Sequence, residues 1–185
     1  MLTEYGFSFE VCTTPVEELN DATLGPSRLV QENALLKALP VADLHPNSVV
    51  LGADTVVALG ERILGKPRDM AEAALMLEEL NGREHTVHSG VCVAHRSGGK
   101  QRVFVETTVV QFRHLSALER AAYHAAIQPL DKAGAYAAQD DQGRLIAQTV
   151  GSFTNVVGLP METLIEHLKH FGILPERTRE RCQHR

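Results

Sequence analysis

The stretch Ser48–Gly60, SVVLGADTVVALG, decides how the rest of the chain is read. It is apolar and β-branched, so it reads as a buried strand. It carries one ionisable group, Asp54, with Gly52 two residues before it. A buried, unpaired carboxylate is costly, so Asp54 has to be paired, hydrogen-bonded or ligated. Gly52 permits unusual backbone geometry or the close approach of a ligand. On this stretch alone two readings of Asp54 stand. Beside the Thr55 hydroxyl at a strand end it suits a metal ligand or general base. It would equally suit the closing of a tight turn between two strands.

Working outward, Phe7–Val11 (FSFEV) alternates like a short strand. PSRLVQENALLKAL reads as a helix opening at Pro26 or Ser27 and stopping before Pro40. EAALMLEEL is a helix with Asp69 and Glu72 as a capping box, ended by Asn81-Gly82. TVHSGVCVAHR and RVFVETTVVQF form a hairpin through SGGK. Ser116 and Glu119 repeat the capping-box spacing ahead of another helix, LIAQTV is a further strand, and a last helix starts at Pro160 and stops at Gly172. The polar tail 175–185 reads as frayed. Strands and helices alternate early and strand pairs follow, which predicts an α/β fold with a mixed sheet flanked by helices. The whole chain reads as a single domain, with residues 82–112 as a second, smaller lobe and a cleft between lobes as the ligand site.

A chain of 185 residues is long enough for one real core. Its net charge of −5 argues against electrostatic capture of nucleic acid or of an anionic membrane. A local basic pocket for a small anion stays open. Cys12, Cys92 and Cys182 lie far apart with no C-x-x-C spacing, which fits a reducing cytoplasm. No apolar run approaches a membrane span, and residues 1–12, with Glu4 and Glu10, carry no signal-peptide n-region.

Lys66, in ILGKP, sits in a fixed turn just before a helix, where a compact ammonium suits a phosphate; a solvated turn lysine is the plainer reading. Lys37, in NALLKA, lies on the apolar side of a helix pattern and either snorkels or points into a cleft. DKAGAYAAQ and GSFTNVVGLP crowd small residues around glycines, so a backbone or ligand packs closely there. His85 and His88 fall on opposite faces of a β run, which disfavours a shared metal, and His167 and His170 read as a solvated helix face. There is no Walker phosphate loop, G-x-G-x-x-G or G-x-S-x-G in the sequence.

Six stretches, NALLKA, VVLGADTVV, ILGKP, LNGREHTVHSGV, DKAGAYAAQ and GSFTNVVGLP, occur in an order and spacing by which the chain is identified as a member of the Maf family of nucleoside triphosphate pyrophosphatases. The resemblance implies an α/β fold like that of the inosine-triphosphate pyrophosphatases, with two lobes around a deep cleft. It implies cleavage of a nucleoside triphosphate between its α and β phosphates, with Mg²⁺ or Mn²⁺, in a homodimer. By that resemblance Asp54 is the catalytic acid and, with Glu18 (or its neighbour Glu17), a metal ligand. Lys37 and Lys66 face the phosphates. Thr55 and Gln139 match the branch acting on dTTP and UTP, not the branch acting on 7-methyl-GTP. The family's usual opening strand and S-x-S-P-R-R phosphate loop have no counterpart in this sequence, which opens at MLTEYGFSFEV. A second functional reading therefore stands beside the first: a nucleotide-binding or regulatory homologue with impaired catalysis.

Overall fold

The computed structural model describes residues 1–176. Five strands, β1 (Val50–Leu59), β2 (Arg62–Leu64), β3 (Glu84–His95), β4 (Lys100–Phe112) and β5 (Ile146–Val150), form one sheet in the order β2-β1-β3-β4-β5. Every pairing is antiparallel. The sheet is thus not mixed, as the alternation of elements had predicted. Two short hairpins set most of its directions, and the helix between β2 and β3 returns the chain antiparallel to β1. Phe7–Val11 forms no strand: its alternation marks two potential faces, but no ladder takes it up.

Helix α1 (Pro26–Leu44) runs through Pro40 instead of stopping before it. A proline there removes only the hydrogen bond to the carbonyl four residues back, on Leu36. Leu36 is exposed, so water can take that carbonyl. Helix α2 (Met70–Leu80) is capped by Asp69, which accepts from the Glu72 amide; the Glu72 carboxylate reaches back to the Arg68 amide, one residue beyond a true capping box. Helix α3 (Ala117–Ala126) has the full box between Ser116 and Glu119. Short α4 (Phe153–Val157) and then α5 (Met161–His170) follow β5. No helix among the described residues is long and apolar enough to cross a membrane.

The strand pleat divides the core. One face carries Val50, Gly52, Asp54 and Val56 of β1 with Gly90, Cys92 and Ala94 of β3, and α1 covers it with Val30, Ala34, Ala38 and Ala42. The other face carries Val57, Val87, Val91, Val93 and Val110 and is covered by α2, α3 and α5. Two glycines let α1 lie this close to the sheet. A Cβ at Gly52 would sit 2.7 Å from the Ala34 carbonyl and the Ala38 amide, and one at Gly90 would collide with the Val30 carbonyl.

His85 lies in the second core, edge-on to Phe112 with its Nε2 3.1 Å from the Tyr136 hydroxyl. Burial pushes its pKa down from 6.5 to about 4. The unfolded chain therefore takes up a proton that the folded chain refuses, between about pH 6.5 and about pH 4. Stability on this account is whole above about pH 6.5 and is lost as pH falls toward about 4, by ~3 kcal/mol in all. The double variant His85→Phe, Tyr136→Phe removes the imidazole without orphaning the tyrosine hydroxyl. Its Tm is expected to fall less than the parent's on acidification across that window; an unchanged slope would place the acid sensitivity elsewhere.

Candidate active site

Asp54 occupies the middle of β1, opposite Gly90 on β3, and faces α1. Its side chain is only 9% exposed, and both its oxygens are engaged. Lys37 donates to Oδ1 at 2.7 Å, and Asn33 Nδ2 donates to Oδ2 at 3.1 Å. Lys37 and Asn33 are four residues apart, so they share one face of α1. That face is set down on the strand by the contact of Ala34 and Ala38 with Gly52. The Lys37 ammonium also lies 3.1 Å from Glu18 Oε1. Two carboxylates thus converge on one positive charge. Of the neighbouring pair Glu17 and Glu18, it is Glu18 that reaches Lys37.

Asn33 is the residue that sequence reasoning missed. It is 2% exposed, and its Oδ1 accepts from the Leu19 amide at 2.8 Å while Nδ2 donates to the Leu19 carbonyl at 3.1 Å. The signal was present in NALLKA: an asparagine one turn before the lysine, on the same apolar face.

The other predicted residues lie elsewhere. Thr55 follows Asp54 in sequence, so its side chain points to the opposite face of the sheet. There it meets the Ser89 hydroxyl at 2.7 Å and donates to the Gly158 carbonyl at 3.2 Å, tying β1 to the end of α4. Lys66 is exposed on the turn after β2. That turn is fixed by Gly134, whose amide donates to the Gly65 carbonyl and whose missing side chain leaves room for Val57. Lys132, 2.9 Å from Asp131, holds that carboxyl below its usual range, and Lys66 adds to the effect more weakly. Gln139 is exposed in the turn Ala138–Asp140. Among the described residues no side-chain hydrogen bond or ion pair joins Thr55, Lys66 or Gln139 to the Asp54 cluster.

His85 and His88 do face opposite sides of the sheet. His88 lies on the α1 side, its Nδ1 3.1 Å from both the Ser27 and Thr107 hydroxyls, and burial holds its pKa below the ordinary value. Among the described residues no three His, Cys, Asp or Glu side chains group as a metal cage. What the site does offer is two carboxylates already gathered around a cation, with the lysine ammonium as the stand-in. That donor set fits a hard divalent ion, which is held by one or two carboxylates and keeps its other positions for water and phosphate oxygens.

The arrangement defines an α/β protein with an acid–lysine–acid cluster set between one helix and the middle of an antiparallel sheet. The chain belongs to the Maf family: the family described as "Maf-like protein" matches residues 1–171. It is 42% identical over 172 residues to a dTTP/UTP pyrophosphatase of Pelotomaculum thermopropionicum, covering 93% of this chain and 90% of that protein. It is 42% identical to the dTTP/UTP pyrophosphatase of Gloeobacter violaceus, over 92% of this chain and 89% of the relative. The relative of the same name from Bacillus cytotoxicus is 43% identical, over 88% of this chain and 84% of its own length.

Proposed function

We propose that this chain hydrolyses dTTP, UTP or a modified pyrimidine nucleoside triphosphate to the monophosphate and pyrophosphate. The observation that carries the reading is the Lys37 ammonium held between Asp54 and Glu18. The names of the relatives, dTTP/UTP pyrophosphatases at about 42% identity, support the substrate class.

Phosphoryl-transfer catalysis is mostly positioning and charge neutralisation. In this reading Asp54 and Glu18 hold a Mg²⁺ or Mn²⁺ ion, which neutralises phosphate charge when bound. Lys37, tethered on α1 beside both carboxylates, is then available to a phosphate oxygen. Lys66 is assigned to the far end of the triphosphate, and Gln139 to the choice of base. Water attacks the α-phosphorus, the bond from that phosphorus to the α–β bridging oxygen breaks, and pyrophosphate leaves. Asp54 takes the proton from the attacking water. The substrate lies in a cleft between two lobes, the arrangement of the inosine-triphosphate pyrophosphatases, with Asp54 on its floor.

A homologue that binds nucleotide without turning it over is the competing reading, favoured by the engagement of both Asp54 oxygens by Lys37 and Asn33. Pyrophosphate release separates the two. With Mn²⁺ present, the chain is expected to release pyrophosphate from dTTP and UTP faster than from 7-methyl-GTP. Binding of dTTP with no release from any of the three would establish the competing reading instead.

A further inference from the structure

We infer that Asn33 is a positioning residue that sets the spacing of the two carboxylates, an inference that rests on the reading of Asp54 and Glu18 as the cation-holding pair. Residues 8–20 make no backbone–backbone hydrogen bond among the described residues. Two polar ties hold the Glu18 end of this segment to the body of the protein. Lys37 grips the Glu18 side chain, and Asn33 grips the backbone of the next residue, Leu19, from both its amide and its carbonyl. The second Nδ2 hydrogen of the same amide goes to Asp54 Oδ2. One buried, fully satisfied amide therefore touches the strand that carries Asp54 and the segment that carries Glu18.

The strut is stiff because of where it stands. The next residue, Ala34, packs its carbonyl against Gly52, two residues before Asp54. The helix at this point cannot shift relative to the strand without opening that contact. Lys37 cannot do the same work. A long, flexible ammonium fixes a charge but not a backbone, and once a divalent ion binds the two carboxylates it has no reason to stay between them. The amide remains. Its task is to keep Glu18 at coordinating distance from Asp54 after Lys37 has left.

Truncating Asn33 is expected to loosen Glu18 without unfolding the chain, because Leu19 is 41% exposed and water can reach its freed amide and carbonyl. The test is the affinity for Mn²⁺ in the absence of nucleotide, read from the electron paramagnetic resonance signal of the free ion. It needs no turnover. Asn33→Ala is expected to weaken binding by about tenfold or more, the effect usual for removing a group that orients a metal ligand. Glu18→Gln should weaken it by at least as much. The double variant should be no weaker than Glu18→Gln alone within about twofold, because residues that act through one another are not additive. Asn33→Ser serves if the alanine variant melts below the assay temperature.

Each outcome decides. Unchanged Mn²⁺ affinity in Glu18→Gln overturns the two-carboxylate reading, and the inference with it. A loss in Glu18→Gln but not in Asn33→Ala or Asn33→Ser overturns the inference alone. Losses that multiply in the double variant show that Asn33 does not act through Glu18, and overturn it as well. A merely structural role would lower Tm and leave affinity below Tm untouched.

Discussion

Asp54→Asn is expected to cut pyrophosphate release from dTTP on the order of 10³-fold or more, the scale seen when a central electrostatic group is removed from an active site. The change removes one negative charge and almost no volume. Two functions fail together in the proposed mechanism, since the cation loses one of two carboxylates and the attacking water loses its proton acceptor; in the ion-free protein Lys37 also loses its closest partner at 2.7 Å. The amide also creates a local conflict. If its oxygen faces Lys37, its NH₂ faces the Asn33 Nδ2 that now donates to Asp54, and two donors oppose each other. The fold should survive this. Lys37 keeps Glu18 at 3.1 Å, and β1 is held by its ladder to β3 and by the seat of α1 on Gly52. A circular-dichroism melt close to that of the parent would show that the loss is chemical. Turnover within about tenfold of the parent, some 1.4 kcal/mol of barrier, would reduce Asp54 to a structural acceptor for Lys37 and Asn33.

The sequence carried these features unevenly, and the reason in each case is physical. Local chemistry was legible. The capping box at Ser116 and Glu119, the cap at Asp69 and the stop at Gly172 depend on residues three or four apart, which one pass along the chain can see. Pairing was not legible, because a ladder joins residues far apart. Phe7–Val11 has the alternation of a strand and no partner, whereas β3 finds β1 across a whole helix. Pro40 shows a local rule yielding to its surroundings: the orphaned carbonyl lies on the solvent side, and apolar burial of Val41 and Ala42 continues the helix beyond it.

The site divides in the same way. Asp54, Lys37 and Glu18 are brought together, since the helix-to-strand contact that joins them is written in Gly52 and the alanines of α1. Thr55 beside Asp54 was assigned to the same substrate, yet the pleat turns its side chain to the other face, which a period of two already requires. Asn33 passed unnoticed because an asparagine inside an apolar helix pattern can be satisfied in many ways. Only its partner, the backbone of Leu19, gives it meaning, and Leu19 belongs to a segment with no regular structure.

Gly90→Ala is expected to be among the most destabilising single-methyl additions to this chain. Gly90 stands directly opposite Asp54 in the sheet, on the central strand, with neighbours on both sides. Its φ is not in the left-handed region, so backbone strain is not the argument; space is. The added Cβ would fall on the Val30 carbonyl and 2.7 Å from the Gln31 amide. These are helix backbone atoms, which cannot swing aside as a side chain would. Nor can α1 retreat as a body without opening the close contact of Ala34 and Ala38 with Gly52 one turn further along. Overpacking of a rigid core costs about 1–3 kcal/mol and occasionally more, and a collision with backbone belongs at the upper end. At about 2–4 °C per kcal/mol for a chain of this size, Tm should fall by about 10 °C. Gly65→Ala is the control: nothing lies within 4 Å of a Cβ there, and its Tm should stay within about 2 °C of the parent. The clash should also reach the chemistry. Any accommodation lifts the first turns of α1, and with them Asn33, away from Asp54. The variant that remains folded should therefore bind Mn²⁺ more weakly than its folded fraction accounts for. A Gly90→Ala protein that melts with the parent would mean that α1 rests on the sheet less tightly than the Gly52 and Gly90 contacts require.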